Sequence, residues 1–464
     1  MTELGPSPLA AGEDNISVDA ARAAIVAAML PGAAGLASLS SVSPSQTLPL
    51  LQALGRVLAA DVVSPIDVPA HDNSAMDGYA FDGAVLASTA AEAAGSPTPD
   101  ITLRVIGAVY AGRPFGGQVR PGECIRIMTG AVMPAGLDTV VPIELCRVDN
   151  YGNNGNDNGN DNDCDSDGDI VSVAPAAIRR GDNRRHRGED LAAGQLALHA
   201  GRVLRPADLG LLASLGLREV TVRPRLRVAL FSTGDEVLEP GQPLAPGCIY
   251  DSNRVTLAAA LHRLGMEVID LGLVRDDPAA LEATLHRAVA QADVVITSGG
   301  VSAGDADHTR DLLARLGSVS FWKVAMRPGR PFAFGSLRGN VLGTAGRSAW
   351  LFALPGNPVA ALVSFYALAR DGLLALAGAR AQATPRLQAR CAVAIRKRPG
   401  RTEFQRGSLS LAADGVWQVQ PFGAQGAGIL RSMSESNALI VLGHDQASVP
   451  AGGMVEVWLF DGLV

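Results

Sequence analysis

Apolar residues recur at helical spacing in two stretches near the start of the chain. Residues 16–40 are rich in alanine, with Ile16, Ala20 and Ala24 on one side, and Pro31 followed by glycine interrupts the pattern. Residues 47–63 show leucine and valine at similar intervals. The pattern therefore predicts two helices before the first strands.

Short runs of β-forming residues follow, separated by glycine and proline. Residues 103–109 and 124–128 are the clearest of them. They predict a mainly β module in the first half of the chain.

Residues 225–376 alternate between short apolar runs and amphipathic helical patterns. Such alternation is typical of a doubly wound, parallel α/β sheet. The predicted strands are 226–231, 268–273, 294–297, 319–324 and 351–354, and the predicted helices are 252–264, 278–291, 308–316 and 359–376.

The last part of the chain returns to short strands. Residues 392–395, 407–411, 417–419, 438–442 and 455–460 are the predicted strands, and the Asp414-Gly415 pair marks a hairpin. The pattern predicts a small β barrel or sandwich. With 464 residues, the chain has room for three or four domains.

The net charge of −7 comes from one segment. Residues 149–169 hold seven Asp and neither Lys nor Arg, and without them the 39 basic residues match 39 acidic ones. No diffuse basic surface is left, so nucleic acid is not an expected partner. The segment predicts a disordered acidic insert. A calcium loop is the alternative, but Ala174 stands where its bidentate Glu belongs.

Five dispersed cysteines without a CxxC pair indicate a reducing compartment, and we expect a cytoplasmic protein. The N-terminus lacks the basic start of a signal peptide. The longest uncharged apolar stretch, 348–369, is interrupted by Pro355 and Pro358, so we expect no membrane span.

Polar loops follow four of the predicted strands. Ligands of open parallel sheets bind at the carboxyl ends of the strands, so a binding site is expected at this edge. Backbone N–H groups of a glycine loop that opens a helix can receive an anion. The residues at this edge are Glu236, Asp276, Ser298, Gly299, Gly300, Ser302, Gly304, Asp305, Asp307, Pro355, Gly356, Asn357 and Pro358.

The charges at this edge predict both a metal and an oxyanion. Carboxylates such as Glu236 and Asp276 would repel a phosphate unless a hard cation, typically Mg²⁺, lies between them. Lys323, Arg327 and Arg330 form a basic turn that suits a phosphate or another tetrahedral oxyanion. The chain has no GxxxxGK[ST] motif and no GxSxG elbow.

Further polar clusters, 71–80, 126–131 and 184–190, lie in the predicted β module. With the loops above, they make the sequence resemble the molybdopterin molybdenumtransferase family, which includes the C-terminal domain of gephyrin. The motifs are DNSAMDGYA (72–80), IMTGA (127–131), RGED (187–190), FSTGDE (231–236), RDDP (275–278), SGGVSAGDAD (298–307), PGRPFAFG (328–335) and LPGNPV (354–359).

The resemblance implies a four-part architecture of the α/β class. An elongated helical segment (15–45 with 192–222) and a mainly β module (46–191, including the acidic insert) would precede a doubly wound parallel-sheet domain (223–378). A C-terminal small β barrel (379–464) would follow. It also implies a homodimer in which the β module of one subunit faces the α/β domain of the other.

The implied reaction inserts molybdate into adenylyl-molybdopterin and releases AMP, with Mg²⁺ as cofactor. The carried-over catalytic positions are Asp77, Thr129, Glu236, Asp276, Asp307 and Lys323. Of these, Glu236, Asp276 and Asp307 would hold the metal, while Arg327 and Arg330 would join Lys323 at the molybdate. Asp77 and Thr129 would come from the partner subunit.

Two departures from the family pattern concern the oxyanion. Arg327 and Arg330 stand where members often have Lys, and Ala360 stands where they often have Ser. Contact with other proteins of cofactor biosynthesis is a further implication. Two alternative functions remain. One is a gephyrin-type scaffold, and the other is a nucleotide pyrophosphatase or adenylyltransferase built on the same α/β domain.

Overall fold

The computed structural model describes residues 14–30, 45–87, 99–149, 168–299, 312–338, 347–381 and 384–463. The chain divides into two compact units. The sheet unit contains the residues up to Ala60, Ala200–Leu209 and those from Glu219 onward. The insert unit contains Asp61–His199 and Gly210–Arg218.

A seven-stranded sheet forms the centre of the sheet unit. Six of its described strands run in the same direction, which confirms the predicted α/β class. In spatial order the strands are Asp14–Ile16, Gly317–Val324, Pro331–Arg338, Ser348–Leu354, Val294–Ser298, Arg227–Thr233 and Glu267–Val274.

The sequence pattern did not predict the strand Pro331–Arg338, which is antiparallel to both of its neighbours. Its residues from Phe332 to Leu337 are all buried, so the run lacks the alternation by which a strand is recognised. The sheet is therefore mixed at this position.

Helices cover both faces of the sheet, as predicted for a doubly wound domain. Ser252–Arg263 and Pro358–Leu376 pack on one face, where Leu257, Val363 and Phe365 join the main core. Pro278–Gln291 and the helical residues 312–316 pack on the other. Residues 308–311 of the predicted helix 308–316 lie outside the described residues.

The first predicted helix exists as Val18–Met29, capped by the Ser17 hydroxyl. Its buried side Ala21, Ile25 and Met29 joins the main core of the sheet unit. The strand Asp14–Ile16 extends the sheet at its edge. The strand Asp14–Ile16 and the helix Val18–Met29 thus lie in the sheet unit.

The prediction of a second helix over 47–63 was wrong. This stretch contains the strand Gln46–Pro49 and a single 3₁₀ turn, Leu50–Ala53. Leu51 is 87% exposed, so the apolar spacing does not face a core. Gly55 has φ of 71°, a left-handed conformation that ends helical geometry.

By length and composition, Pro358–Leu376 is the one helix of the described chain that could cross a membrane. It has a mean hydropathy of 1.6, and 78% of the apolar window is buried within the protein. Its first and last segments are α-helical, and Phe365–Ala369 forms a π turn between them. Burial against the sheet accounts for its apolar composition.

Five strands close into a barrel in the C-terminal part of the sheet unit. Of the two predicted alternatives, the barrel is therefore confirmed and the sandwich is not. The hairpin at Asp414-Gly415 is confirmed. The predicted strand 392–395 was wrong, because this edge of the barrel is Arg386–Cys391 and only Ile395 makes an isolated bridge. The order around the barrel is Thr402–Leu411, Trp417–Pro421, Arg386–Cys391, Met454–Leu459 and Ala438–Leu442, which pairs again with Thr402–Leu411.

The insert unit is mainly β, as predicted. Its six-stranded sheet has the order Thr139–Pro142, Gly78–Phe81, Glu123–Ile127, Ile101–Val109, Ile170–Val173 and Cys146–Asp149. Residues 150–167 of the acidic insert lie outside the described residues. Short antiparallel pairs complete the described strands of this unit: Asn73–Ser74 with Arg184–Arg185, and Val62–Val63 with Leu196–Leu198.

Candidate functional site

A cleft of about 1260 Å³ lies in the sheet unit, at the carboxyl ends of the parallel strands. Its walls are the loops after Arg227–Thr233, Glu267–Val274, Val294–Ser298 and Ser348–Leu354. Eight of the residues predicted for this edge line the cleft: Glu236, Asp276, Ser298, Gly299, Pro355, Gly356, Asn357 and Pro358.

Five acidic residues of the described chain line the cleft, and two of them, Glu236 and Asp276, were predicted from the sequence. Asp235, Glu236 and Asp276 are there, and the backbone N–H of Asp276 donates to Asp235 Oδ1 at 3.3 Å. Asp277 caps the next helix by accepting the Ala280 N–H at 2.8 Å. Asp251 is buried and caps the helix Ser252–Arg263 by accepting the Arg254 N–H at 3.0 Å, so Asp235, Glu236 and Asp276 form the acidic surface.

These carboxylates offer the hard oxygen ligands that Mg²⁺ prefers. The third predicted ligand, Asp307, lies outside the described residues. Within the described chain, no group of three or more His, Cys, Asp or Glu is arranged as a metal site. The carboxylate oxygens of Glu236 and Asp276 are of the type that holds Mg²⁺, which would need further ligands such as water, and the metal stays a prediction.

The described part of the glycine loop is fixed by close backbone approach. Gly299 has φ of 94°, and a Cβ at this position would lie 2.7 Å from the Thr233 carbonyl oxygen. Its N–H donates to the Leu354 carbonyl at 3.0 Å, so this amide is committed to the sheet edge. The predicted binding residues Gly300, Ser302, Gly304 and Asp305 lie outside the described residues.

The barrel closes one end of the cleft, which sequence reasoning missed. Gly428 and Leu430 line the cleft. The Val359 N–H, at the start of the long helix Pro358–Leu376, donates to the Ala427 carbonyl at 3.0 Å. The glycine-rich run 423–428 was the available signal, but it matches no phosphate-binding motif.

A second cavity of about 270 Å³ adjoins the cleft. Pro331, Pro355 and Asn357 line both, so they form a shared wall. The other lining residues come from the basic turn, the start of the long helix and the barrel: Arg327, Pro328, Gly329, Ala360, Gln425, Gly426 and Ala427.

Two arginines make this small cavity cationic. Arg327 lines it, and Arg406 lies behind its barrel wall with only 1% of its surface exposed. The Arg406 Nε donates to Ser432 Oγ at 2.9 Å and Nη2 to the Gly426 carbonyl at 3.0 Å. Burial lowers the pKa of Arg406 to about 10, with a second contribution from the charge of Arg327.

No carboxylate forms an ion pair with Arg327 or Arg406 in the described part of the chain. A buried cation without a counter-ion is costly. An oxyanion in the small cavity would offset part of that cost, because Arg327 lines the cavity together with Gly426, whose carbonyl accepts a hydrogen bond from Arg406. Sequence reasoning found Arg327 and missed Arg406, since Arg406 comes from a distant barrel strand.

The other two predicted cations lie elsewhere. Lys323 and Arg330 are exposed and line neither the cleft nor the small cavity. The Arg330 carbonyl accepts the Val324 N–H at 2.9 Å, which fixes the turn between the two strands. Their predicted roles at molybdate stay predictions.

In the insert unit, Asp77 and Thr129 are hydrogen-bonded to each other. Asp77 Oδ1 accepts the Thr129 N–H at 2.6 Å and the Thr129 hydroxyl at 2.7 Å. These bonds lower the pKa of the Asp77 carboxyl. Asp77 is therefore an ionised, exposed carboxylate at neutral pH.

None of the cysteines in the described residues lines either cavity. Burial raises the pKa of Cys124 to about 12 and that of Cys146 to about 11. Neither thiol is thus available as a thiolate nucleophile near neutral pH.

Fold and site together define a class of protein. An open α/β sheet carries an acidic cleft at its strand ends, and a barrel completes a cationic cavity that shares one wall with the cleft. A cleft in this position is typical of α/β proteins that bind a small-molecule ligand at the carboxyl ends of their strands.

Comparison with known proteins identifies the family. The MoeA N-terminal region (domain I and II) matches residues 16–216, the probable molybdopterin binding domain matches 229–375, and the MoeA C-terminal region (domain IV) matches 388–460. The chain is 40% identical over 424 residues to the molybdopterin molybdenumtransferase of Haemophilus influenzae. The aligned residues cover 91% of this chain and 96% of that protein.

Two further comparisons agree. Molybdopterin molybdenumtransferase 2 of Mycobacterium tuberculosis is 38% identical over 420 residues, which are 89% of this chain and 94% of that one. The solved structure of a molybdopterin biosynthesis MoeA protein from Pyrococcus horikosii has a TM-score of 0.69 at 28% identity, covering 96% of this chain and 99% of that one. The chain belongs to the molybdopterin molybdenumtransferase family, transferases of molybdenum cofactor biosynthesis, which confirms the resemblance found in its motifs.

Proposed function

We propose that this chain inserts molybdate into adenylyl-molybdopterin, releasing AMP and forming the molybdenum cofactor. The observation that carries the proposal is the wall shared by the acidic cleft and the cationic cavity. Two reactants of different size and charge could bind side by side across Pro355 and Asn357. Such alignment removes the entropic cost of bringing them together in the reaction.

The cleft would receive adenylyl-molybdopterin. Its volume of about 1260 Å³ suits a dinucleotide-sized ligand. Glu236 and Asp276, together with Asp307 of the family motif, would hold Mg²⁺. When bound, the metal supplies positive charge to the pyrophosphate oxygens and favours departure of AMP.

The small cavity would receive molybdate. Arg327 offers a planar guanidinium to a tetrahedral oxyanion, and the buried charge of Arg406 adds to the attraction. Ala360 at the cavity wall offers no hydroxyl, so charge carries the recognition at this position. The dithiolene sulfurs that bind molybdenum come from the substrate.

The test is AMP release by the purified protein from adenylyl-molybdopterin, with molybdate and Mg²⁺ added together and singly. We expect release only with both. Glu236→Gln should lower kcat about 10- to 50-fold, because it removes one of several metal ligands. Full release without molybdate would instead favour the pyrophosphatase alternative.

We also propose a cytoplasmic homodimer in which Asp77 and Thr129 complete the site of the partner subunit. The support is the ionised Asp77 carboxylate in a motif of the family, in a unit separate from the cleft. Contact with the protein that supplies adenylyl-molybdopterin stays a prediction.

Complementation tests this sharing. Asp77→Ala and Glu236→Ala variants should each be inactive, and a mixture refolded together should recover about one quarter of the wild-type activity through mixed dimers with one intact site. Sedimentation should show a dimer. A fully active monomer, or a mixture without recovery, would contradict a shared site.

A further inference from the structure

The helix Ser252–Arg263 begins beside the cleft, and its first turn is unusually well fixed. Asp251 caps it by accepting the Arg254 N–H at 3.0 Å, and it also accepts the Ser232 hydroxyl at 3.1 Å. The Arg254 side chain is buried and forms ion pairs with Asp251, Asp270 and Glu239. Hydrogen bonds and ion pairs thus hold the start of the helix to the strands Arg227–Thr233 and Glu267–Val274. They also hold it to Glu239, in the segment after the first of these strands.

Asn253 stands in this fixed turn, between the cap and the buried arginine. Its Nδ2 donates to Ser298 Oγ at 2.7 Å and to the Gly356 carbonyl at 2.7 Å. One amide group therefore connects the end of strand Val294–Ser298 to the loop after Ser348–Leu354. The Ser298 hydroxyl in turn donates to the Pro355 carbonyl at 3.3 Å.

The two connected loops meet through glycine. The nearest atom that a Cβ on Gly356 would meet is the Gly299 Cα, at 3.8 Å. Neither residue has a side chain that could interlock with the other. The Asn253 amide therefore adds a side-chain cross-link to the backbone bond between Gly299 and Leu354. It ties the end of the strand Val294–Ser298 to the loop of Pro355 and Asn357, which is the wall between the two cavities.

We infer that Asn253 is a positioning residue that holds this shared wall against Ser298 and Gly299, an inference that rests on the proposed function. Asn253 lines the cleft, but its donors are used by the protein. Its effect on the reaction is to align the two reactants. A displacement of the wall by about 1 Å would change the distance between them and lower the rate by as much as a hundredfold.

Asn253→Asp tests this directly. Aspartate has the same shape but no N–H donor, and an acidic residue in the first turn of a helix does not weaken the helix. We expect kcat for AMP release to fall about 10- to 100-fold, with the KM for molybdate changed less than about threefold. Asn253→Gln keeps the donors and should recover part of the rate.

Val255→Ala is the matched control, because Val255 lies on the same helix and is 57% exposed. The kcat and the KM of this variant should equal those of the wild-type protein. Hydrogen exchange gives a readout without activity: in Asn253→Asp, the Gly299 amide that donates to Leu354 should exchange about tenfold faster.

The outcomes separate the two proposals. A wild-type protein that releases no AMP would contradict the proposed function, while hydrogen exchange would still test the cross-link. An active wild-type protein with an Asn253→Asp variant equal to it in kcat and in exchange would overturn the role of Asn253.

Discussion

Replacing Gly299 with alanine is expected to reduce AMP release by at least about 100-fold and to lower the free energy of unfolding by about 2–4 kcal/mol. The residue has φ of 94°, and a Cβ would lie 2.7 Å from the backbone oxygen of Thr233. The loop must move away from this strand end, because a backbone atom cannot yield as a flexible side chain can. That movement breaks the N–H bond to Leu354 and displaces the cleft wall.

Gly241→Ala provides a matched control for this variant. Gly241 has the same φ of 94°, but no atom lies within 4 Å of a Cβ built there. It therefore shares the backbone strain, which costs about 1 kcal/mol, and not the collision. Urea unfolding measures the stability of both variants. Equal losses of stability and activity in the two would show that close approach at Gly299 is unimportant.

Replacing Arg327 with glutamine is expected to raise the KM for molybdate by about 30- to 100-fold, which corresponds to the loss of a charge-assisted hydrogen bond of about 2–3 kcal/mol. Arg327 lines the small cavity and pairs with no carboxylate among the described residues. The KM for adenylyl-molybdopterin should change little, since Arg327 does not line the cleft. Molybdate binding to the protein alone, measured by calorimetry, gives the affinity without turnover.

The control for Arg327 is Arg338→Gln, at the far end of the strand Pro331–Arg338. It removes the same charge at an exposed position away from both cavities. A second readout follows from the pKa of Arg406, which burial lowers and the charge of Arg327 lowers further. Without Arg327 that pKa should rise, while the effect of burial stays. An unchanged KM for molybdate in Arg327→Gln would remove this cavity as the oxyanion site.

The edge of the sheet could be predicted from the sequence because its loops follow recognisable strands. Strand direction in a parallel sheet places all carboxyl ends at one edge, so Glu236, Asp276, Ser298 and Asn357 were expected to meet before any coordinate was known. Motif order added the family and its reaction. The prediction of a helix at 47–63 failed, because apolar residues at helical spacing do not show whether a hydrophobic core is available for them to pack against.

The set of residues that form the small cavity could not be predicted from the sequence. Lys323, Arg327 and Arg330 are close in sequence and were expected to act together, but only Arg327 lines the cavity. Neighbouring residues of an extended segment point in different directions, so closeness in sequence does not place side chains in one site. The second cation, Arg406, comes from the barrel, more than 70 positions later.

The amino-acid sequence by itself determined the α/β class, the edge at which the cleft forms and the family. These depend on local periodicity and on motifs, which are properties of short segments. Only the tertiary structure decided which distant groups become neighbours, such as Arg406 beside Arg327 or the Asn253 amide between Ser298 and Gly356. Such contacts depend on how the barrel, sheet and helices pack, and no short segment contains that information.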